Sequence, residues 1–191
     1  MKRIALFLSI VISISSCKTF VDQKVSKNGL IIFDSSQLVN KSYELIGQWE
    51  FYPFEVYYFE DLKKLVDSQK NYITLPNSKK KLNNEKGSLD TGYATYRLNI
   101  KLPQKGLYAI QYGFLYTSCN IYLNEKLIFQ QGNFSTVSSK NSPKYAFGYF
   151  PIVVDSLSPD STISLIFHFS DYSSSDRTST RLNSSHGKLS R

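Results

Sequence analysis

The sequence predicts an all-β fold, an antiparallel β-sandwich of the jelly-roll type with at most one short helix. Three observations carry that expectation. Apolar and polar residues alternate along one short stretch after another, which is the period of an extended strand and not of a helix. The chain is rich in residues that suit a pleated, half-buried surface, with 14 tyrosines and 13 phenylalanines among 191 residues. Strand-like stretches also follow one another at short spacing, with turn residues between them. Nowhere do they alternate with long helical stretches as a parallel sheet would need.

The clearest strand is Gly92–Pro103, where Ala94, Tyr96, Leu98, Ile100 and Leu102 alternate with Tyr93, Thr95, Arg97, Asn99 and Lys101. Gly92 frees the backbone at its start and Pro103, which has no N–H to give a ladder, closes it. It reads as a half-buried central strand with one apolar face and one polar face, the latter either wet or covered by a loop, with Arg97 paired to a neighbouring acid or capping a loop. Before it, the sequence predicts strands over Gly29–Asp34, Tyr43–Tyr52 and Tyr72–Pro76, a short helix over 59–68 from the spacing of Leu62, Leu65 and Val66, and a long lysine-rich loop over 77–91. After it come strands over Leu107–Phe114 and over Cys119–Phe129, the latter folded back at Asn124-Glu125, where asparagine tolerates positive φ. A Ser/Asn-rich loop over 132–147 and strands over Tyr149–Asp155 and Thr162–Ser170 complete the series. Trp49 shares its parity with Phe51 and is assigned to the core.

The ends of the chain differ from this body. Lys2 and Arg3 precede an apolar run from Ile4 to Ile14, too short to span a bilayer and the right length for the core of a secretion signal. The run ends in Ile14-Ser15-Ser16-Cys17, which resembles the bacterial lipobox. That resemblance implies cleavage before Cys17 and acylation of Cys17, hence a lipid anchor. Residues 1–16 are expected to be a signal peptide, 17–28 a polar tether, 29–172 the sandwich domain and 173–191 a disordered tail. From Arg177 the chain has neither alternation nor a helical stripe. Its run Ser179-Thr180-Arg181-Leu182-Asn183-Ser184-Ser185-His186 resembles translated adaptor sequence, so the tail is expected not to be native. The expected location is the cell envelope, membrane-anchored and facing the periplasm or the cell exterior.

Several function classes lose their footing on charge and composition. Of the formal net charge of +8, four units lie in residues 177–191 and two on Lys2 and Arg3, which leaves +2 on the body and no basis for a nucleic-acid partner. Cys17 and Cys119 are the two cysteines, and an acylated Cys17 leaves Cys119 without a disulfide partner. His168 stands alone on its strand and reads as structural, so no metal or other cofactor is expected. No nucleophile elbow or metal-ligand spacing is present, and the chain is not expected to be an enzyme.

The pieces Asn28-Gly29-Leu30, Leu45-Ile46-Gly47-Gln48-Trp49-Glu50-Phe51-Tyr52, Tyr72-Ile73-Thr74-Leu75-Pro76, Gly92-Tyr93-Ala94-Thr95-Tyr96-Arg97-Leu98, Ile121-Tyr122-Leu123-Asn124 and Gly132 together resemble the extracytoplasmic domain of bacterial seven-transmembrane receptors with diverse intracellular signalling modules, 7TMR-DISM. The resemblance covers nearly the whole body. It implies a galactose-binding-like jelly roll that senses or binds a ligand for a membrane receptor, here without its transmembrane and output modules. The chain departs from the family at Asn77-Ser78-Lys79, where a tryptophan is common, and at Asn124-Glu125, where Asn-Gly is common. The alternative reading is a stand-alone surface lipoprotein that binds carbohydrate or a partner protein, including a membrane signalling protein. For either, the candidate ligand-binding residues are Tyr93, Arg97, Tyr116, Asn120 and Tyr145, a polar-aromatic set suited to an unknown small molecule or carbohydrate.

Overall fold

A computed structural model describes residues 22–38, 41–76, 83–84, 87–88, 92–154, 161–172 and 188–190, with the main chain alone at 83–84, 87–88, 112–116, 146–147 and 188–190. In chain order the elements are β1 (Asp22–Ser26), β2 (Leu30–Ile32), β3 (Ser42–Pro53), α1 (Phe59–Lys64), β4 (Tyr72–Leu75), β5 (Asn83–Asn84), β6 (Gly87–Ser88), β7 (Gly92–Lys101), β8 (Gly106–Leu123), β9 (Lys126–Gln131), β10 (Lys144–Val154), β11 (Thr162–Asp171) and β12 (Lys188–Ser190). The expected signal peptide, Cys17, most of the 77–91 loop and the tail before Lys188 lie outside the described residues.

The strands make an all-β, dominantly antiparallel sandwich, as the sequence predicts. Two long strands pass from one sheet to the other. The second half of β3 pairs with β4 and β7, β7 pairs with β11 along its whole length, and β11 pairs with the second half of β8, whose other edge carries β9. This is sheet I. The first halves of β3 and β8 pair instead with β1 and β10, and β12 lies between them to complete sheet II. β3 turns the corner at Gly47, whose φ of 105° belongs to glycine; a Cβ there would meet the Ser26 carbonyl oxygen at 2.5 Å. One chain crossing at a bend is how sandwiches close their corners.

The core lies between the sheets. Tyr96, Leu98 and Ile100 of β7 face it with Ile163, Leu165 and Phe167 of β11 and Ile121 of β8, against Tyr43, Leu45, Tyr108, Ile110, Phe150 and Ile152 of sheet II. Trp49 is buried there edge-on to Phe167, at 5.5 Å between ring centroids, and Cys119 is buried as a small hydrophobe.

Five local expectations need correction. The expected tether supplies β1, which pairs in parallel with β3 while the Ser26 hydroxyl donates to the Ile46 and Gln48 carbonyls, so main-chain pairing recruits a segment with no apolar pattern. The helix ends at Lys64, because Leu65 is already extended and Val66 is solvent-exposed; a single 3₁₀ turn follows at Asp67–Gln69. The strands expected over 107–114 and 119–123 are one continuous β8, and β10 begins at Lys144, inside the expected loop. Lys188–Ser190, expected to be disordered, are a strand held from both sides. The polar face of β7, for which the sequence left both a wet and a covered state open, is covered.

Candidate functional site

That outer face of sheet I is covered by two connections. The segment from Phe54 to Asn71 lies over β3, β7 and β11: Tyr57 N–H donates to Thr95 Oγ1 at 3.1 Å, and Thr95 Oγ1 donates to the Glu55 carbonyl at 2.8 Å. The segment from Asn133 to Ser142 closes over β11, where Ser170 Oγ donates to Asn141 Oδ1 at 2.7 Å and Phe134 packs on His168. Alternation put polar side chains on this face, and the cover then makes them a buried layer.

Arg97 is the hub of that layer. Its guanidinium donates to Glu50 Oε2 at 3.4 Å, to the Leu62 carbonyl at 3.3 Å, to Asn99 Oδ1 at 3.1 Å and to Ser164 Oγ at 3.2 Å. Tyr52 donates its hydroxyl to Glu50 at 2.9 Å; burial and the Glu50 charge push the Tyr52 phenol far above its ordinary range. A buried ion pair needs such additional bonds to hold it. The network ties the β3–β4 connection to the sheet through α1.

Beside it, His168 is fully buried and its Nε2 bonds the Tyr57 carbonyl at 2.9 Å. Tyr58, Tyr122 and Phe134 ring it, at 4.9, 5.0 and 5.6 Å between centroids. Burial lowers its pKa below the ordinary imidazole value, so the neutral ring is the resident form. His168 Nδ1, Asn120 Oδ1 on the directly opposing residue, and Ser118 Oγ are buried without a hydrogen-bond partner.

The cage opens outward into a cleft of about 150 Å³ between the start of α1 and the β8–β9 turn, lined by Tyr58, Phe59, Glu60, Tyr122, Asn124, Glu125 and Ile166. Tyr58 and Tyr122 meet edge-to-face at 5.7 Å. Asn124 takes φ 52° in the tight turn and thereby sets Glu125 at the mouth. Across from it, the hydrogen bond from Lys63 lowers the Glu60 carboxyl below its usual range and keeps it charged, while the same ammonium lies 5.2 Å from the Phe59 ring. Aromatic walls with acceptors at the rim can hold a ring that has apolar faces and hydroxyl edges.

The five residues singled out in sequence do not form one rim. Arg97 is taken up by protein partners beneath α1. Asn120 lies on the same outer face beside His168, and Tyr93 stands half-buried at the start of β7, edge-on to Phe54 at 5.9 Å. Tyr145 is exposed on β10, opposite the main chain of Tyr116, whose side chain is outside the described set. The cleft residues were missed. The helix and the Asn124-Glu125 turn were each legible, but their juxtaposition is a long-range contact with no local signal. Among the described residues no cluster of three metal-ligating side chains occurs, and no helix is long and apolar enough to cross a membrane.

No protein-family profile and no curated protein matches the chain. Among solved structures it is similar to a β-glucuronidase of Faecalibacterium prausnitzii, at 20% identity and TM-score 0.45 over 72% of this chain and 22% of that one. A β-glucuronidase of an uncultured Clostridium sp. aligns at 16% identity and TM-score 0.47 over 82% of this chain and 30% of that one. A β-glucosidase of Kluyveromyces marxianus in complex with glucose aligns at 12% identity and TM-score 0.37, over 87% and 19%. The chain thus spans less than a third of the length of each of these proteins.

Proposed function

We propose that the chain is a non-catalytic binding domain that takes a small saccharide in the cleft between α1 and the β8–β9 turn, and that it serves as the extracytoplasmic input domain of a bacterial membrane signalling receptor. The observation that carries the ligand class is the make-up of the cleft. Tyr58, Phe59 and Tyr122 offer aromatic surface to the C–H face of a sugar ring, and Glu60 and Glu125 offer acceptors to its hydroxyls, while Asn124 is held by the Ser164 N–H. At about 150 Å³ the cleft is smaller than the roughly 300–1,000 Å³ of pockets for drug-sized ligands, which favours one ring over an oligosaccharide. The receptor part of the proposal rests on the motifs around Gly47–Tyr52 and Gly92–Leu98, and the envelope location on the leader and Cys17.

The test is a titration of the chain with a panel of monosaccharides, followed by NMR, together with incubation with nitrophenyl glycosides. One or more sugars should shift the Tyr122 and Glu125 resonances, with binding at least about tenfold weaker in Tyr122→Ala, a loss of roughly 1.4 kcal/mol. The glycosides should be recovered intact. Shifts that persist unchanged in Tyr122→Ala, or no shift with any sugar at millimolar concentration, would overturn the cleft assignment, and release of nitrophenol would overturn the non-catalytic one.

A further inference from the structure

Sheet II has an unusual centre. Its middle strand, β12, is three residues long and lies between β3, of 12 residues, and β8, of 18. Lys188, Leu189 and Ser190 pair antiparallel with Glu44, Tyr43 and Ser42 on one side and with Gln111, Ile110 and Ala109 on the other. Two strand spacings therefore separate β3 from β8 at this level, roughly 9–10 Å, too far for the two to bond directly. Neither can move in to close the distance, because each is fixed on other edges: β3 by β1, β4 and β7, and β8 by β10, β11 and β9. Tyr43 and Ile110, which flank the slot, are buried in the core, so the main-chain groups beside them need partners supplied by protein.

We propose that the gap between Ser42–Glu44 and Ala109–Gln111 is a preformed acceptor slot for one extended polypeptide segment, filled in this chain by its own Lys188–Ser190 and open to exchange with an extended peptide. Recognition is through main-chain hydrogen bonds on both edges, the mode by which strands are added to sheets. The occupant reinforces this reading. Residues 177–191 carry no alternating run like those by which β7 and β11 fix their register over ten residue pairs; Lys188-Leu189-Ser190 alternates over three residues only, with Leu189 in register with Tyr43 and Ile110. So short a pattern registers weakly and leaves the segment replaceable. The slot selects an extended backbone, with one apolar position in register with Tyr43 and Ile110. It is separate from the cleft and does not depend on the saccharide reading.

Leu189→Pro in the full chain removes the central N–H of β12 and leaves every residue of the slot itself unchanged. Hydrogen exchange of peptides covering 42–44 and 109–111 should accelerate roughly tenfold or more, while β7 and β11 stay protected. A synthetic peptide of residues 183–191 added to the variant should restore protection, and its Leu189→Pro version should not. Unchanged exchange in the folded variant, or no rescue by the peptide, would overturn the proposal. Should Leu189→Pro not fold, as judged by Trp49 fluorescence, the labelled 183–191 peptide is added in excess to the unaltered chain: uptake that protects the label's amides supports an exchangeable slot, and no uptake overturns it.

Discussion

Leu98 and Asn99 are adjacent in sequence and opposite in environment. Leu98 is wholly enclosed between the sheets, whereas Asn99 accepts from Arg97 and Ser164 and donates to Glu50 at 3.5 Å on the covered face. Leu98→Asp puts an unpaired carboxylate among hydrocarbon and should cost more than about 4 kcal/mol, enough to unfold many domains. Asn99→Asp keeps the acceptor for Arg97 and sets a second carboxylate against Glu50, for a loss of about 1–3 kcal/mol. Urea unfolding of the two variants measures both; equal losses would contradict the register. Alternation made the sidedness of β7 legible and the pairing of Arg97 with a neighbouring acid was the expected one, but whether the polar face is wet or covered stayed open, because the covering segment is remote in sequence. Glu50→Gln tests the same layer from its acidic end. It leaves the buried Arg97 charge without its carboxylate and should cost about 3–5 kcal/mol by the same measurement.

At the scale of elements, glycines separate two kinds of position. Gly47 lies where β3 changes sheets, with positive φ and the Ser26 backbone within 2.6 Å of any added Cβ. Gly148 in β10 has nothing within 4 Å of that point. Gly47→Ala combines a forbidden backbone with a clash against main chain that cannot yield, and should lose on the order of 2–5 kcal/mol. Gly148→Ala should stay within about 0.5 kcal/mol. A thermal melt that ranks them the other way would mean that β3 does not turn its corner at Gly47. The sequence showed Gly47 only as an interruption in an alternating stretch. Strands with full alternation, β7 and β11, were legible to within two residues, whereas β1 and β12 were not, because their pairing is made by main chain and leaves little mark in side-chain pattern. The junction of two expected strands into one β8 was hidden for a related reason: a strand that changes sheets changes its surroundings midway.

Across the whole molecule the sandwich carries a third layer, the cover made by 54–71 and 133–142, and the proposed cleft exists only because the 54–71 part of that cover meets the β8–β9 turn. This is why the site was less legible than the fold: its walls come from two connections whose docking is decided by burial of Tyr52, Leu62 and Ile166. His168 joins the layers, bonding the Tyr57 carbonyl from beneath and packing on Phe134, with the rings of Tyr58 and Tyr122 around it. Because burial holds its pKa below 6.5, the unfolded chain binds a proton that the folded chain refuses in the window just under that value. The contribution of the neutral ring to stability is therefore complete above about pH 6.5 and is lost as the pH falls through the window to the lowered value, below which the imidazole protonates in place. The cover should yield before the sheets do. Between about pH 7 and 5, hydrogen exchange in 54–71 and 133–142 should rise while β7 and β11 remain protected, and saccharide binding at the cleft should weaken in parallel. In His168→Gln, which can still donate towards the Tyr57 carbonyl and has no charge to gain, the pH dependence of the urea midpoint in this range should flatten. A slope identical to that of the unaltered chain would assign the acid sensitivity to carboxylates elsewhere and remove His168 as the bond between sheet and cover.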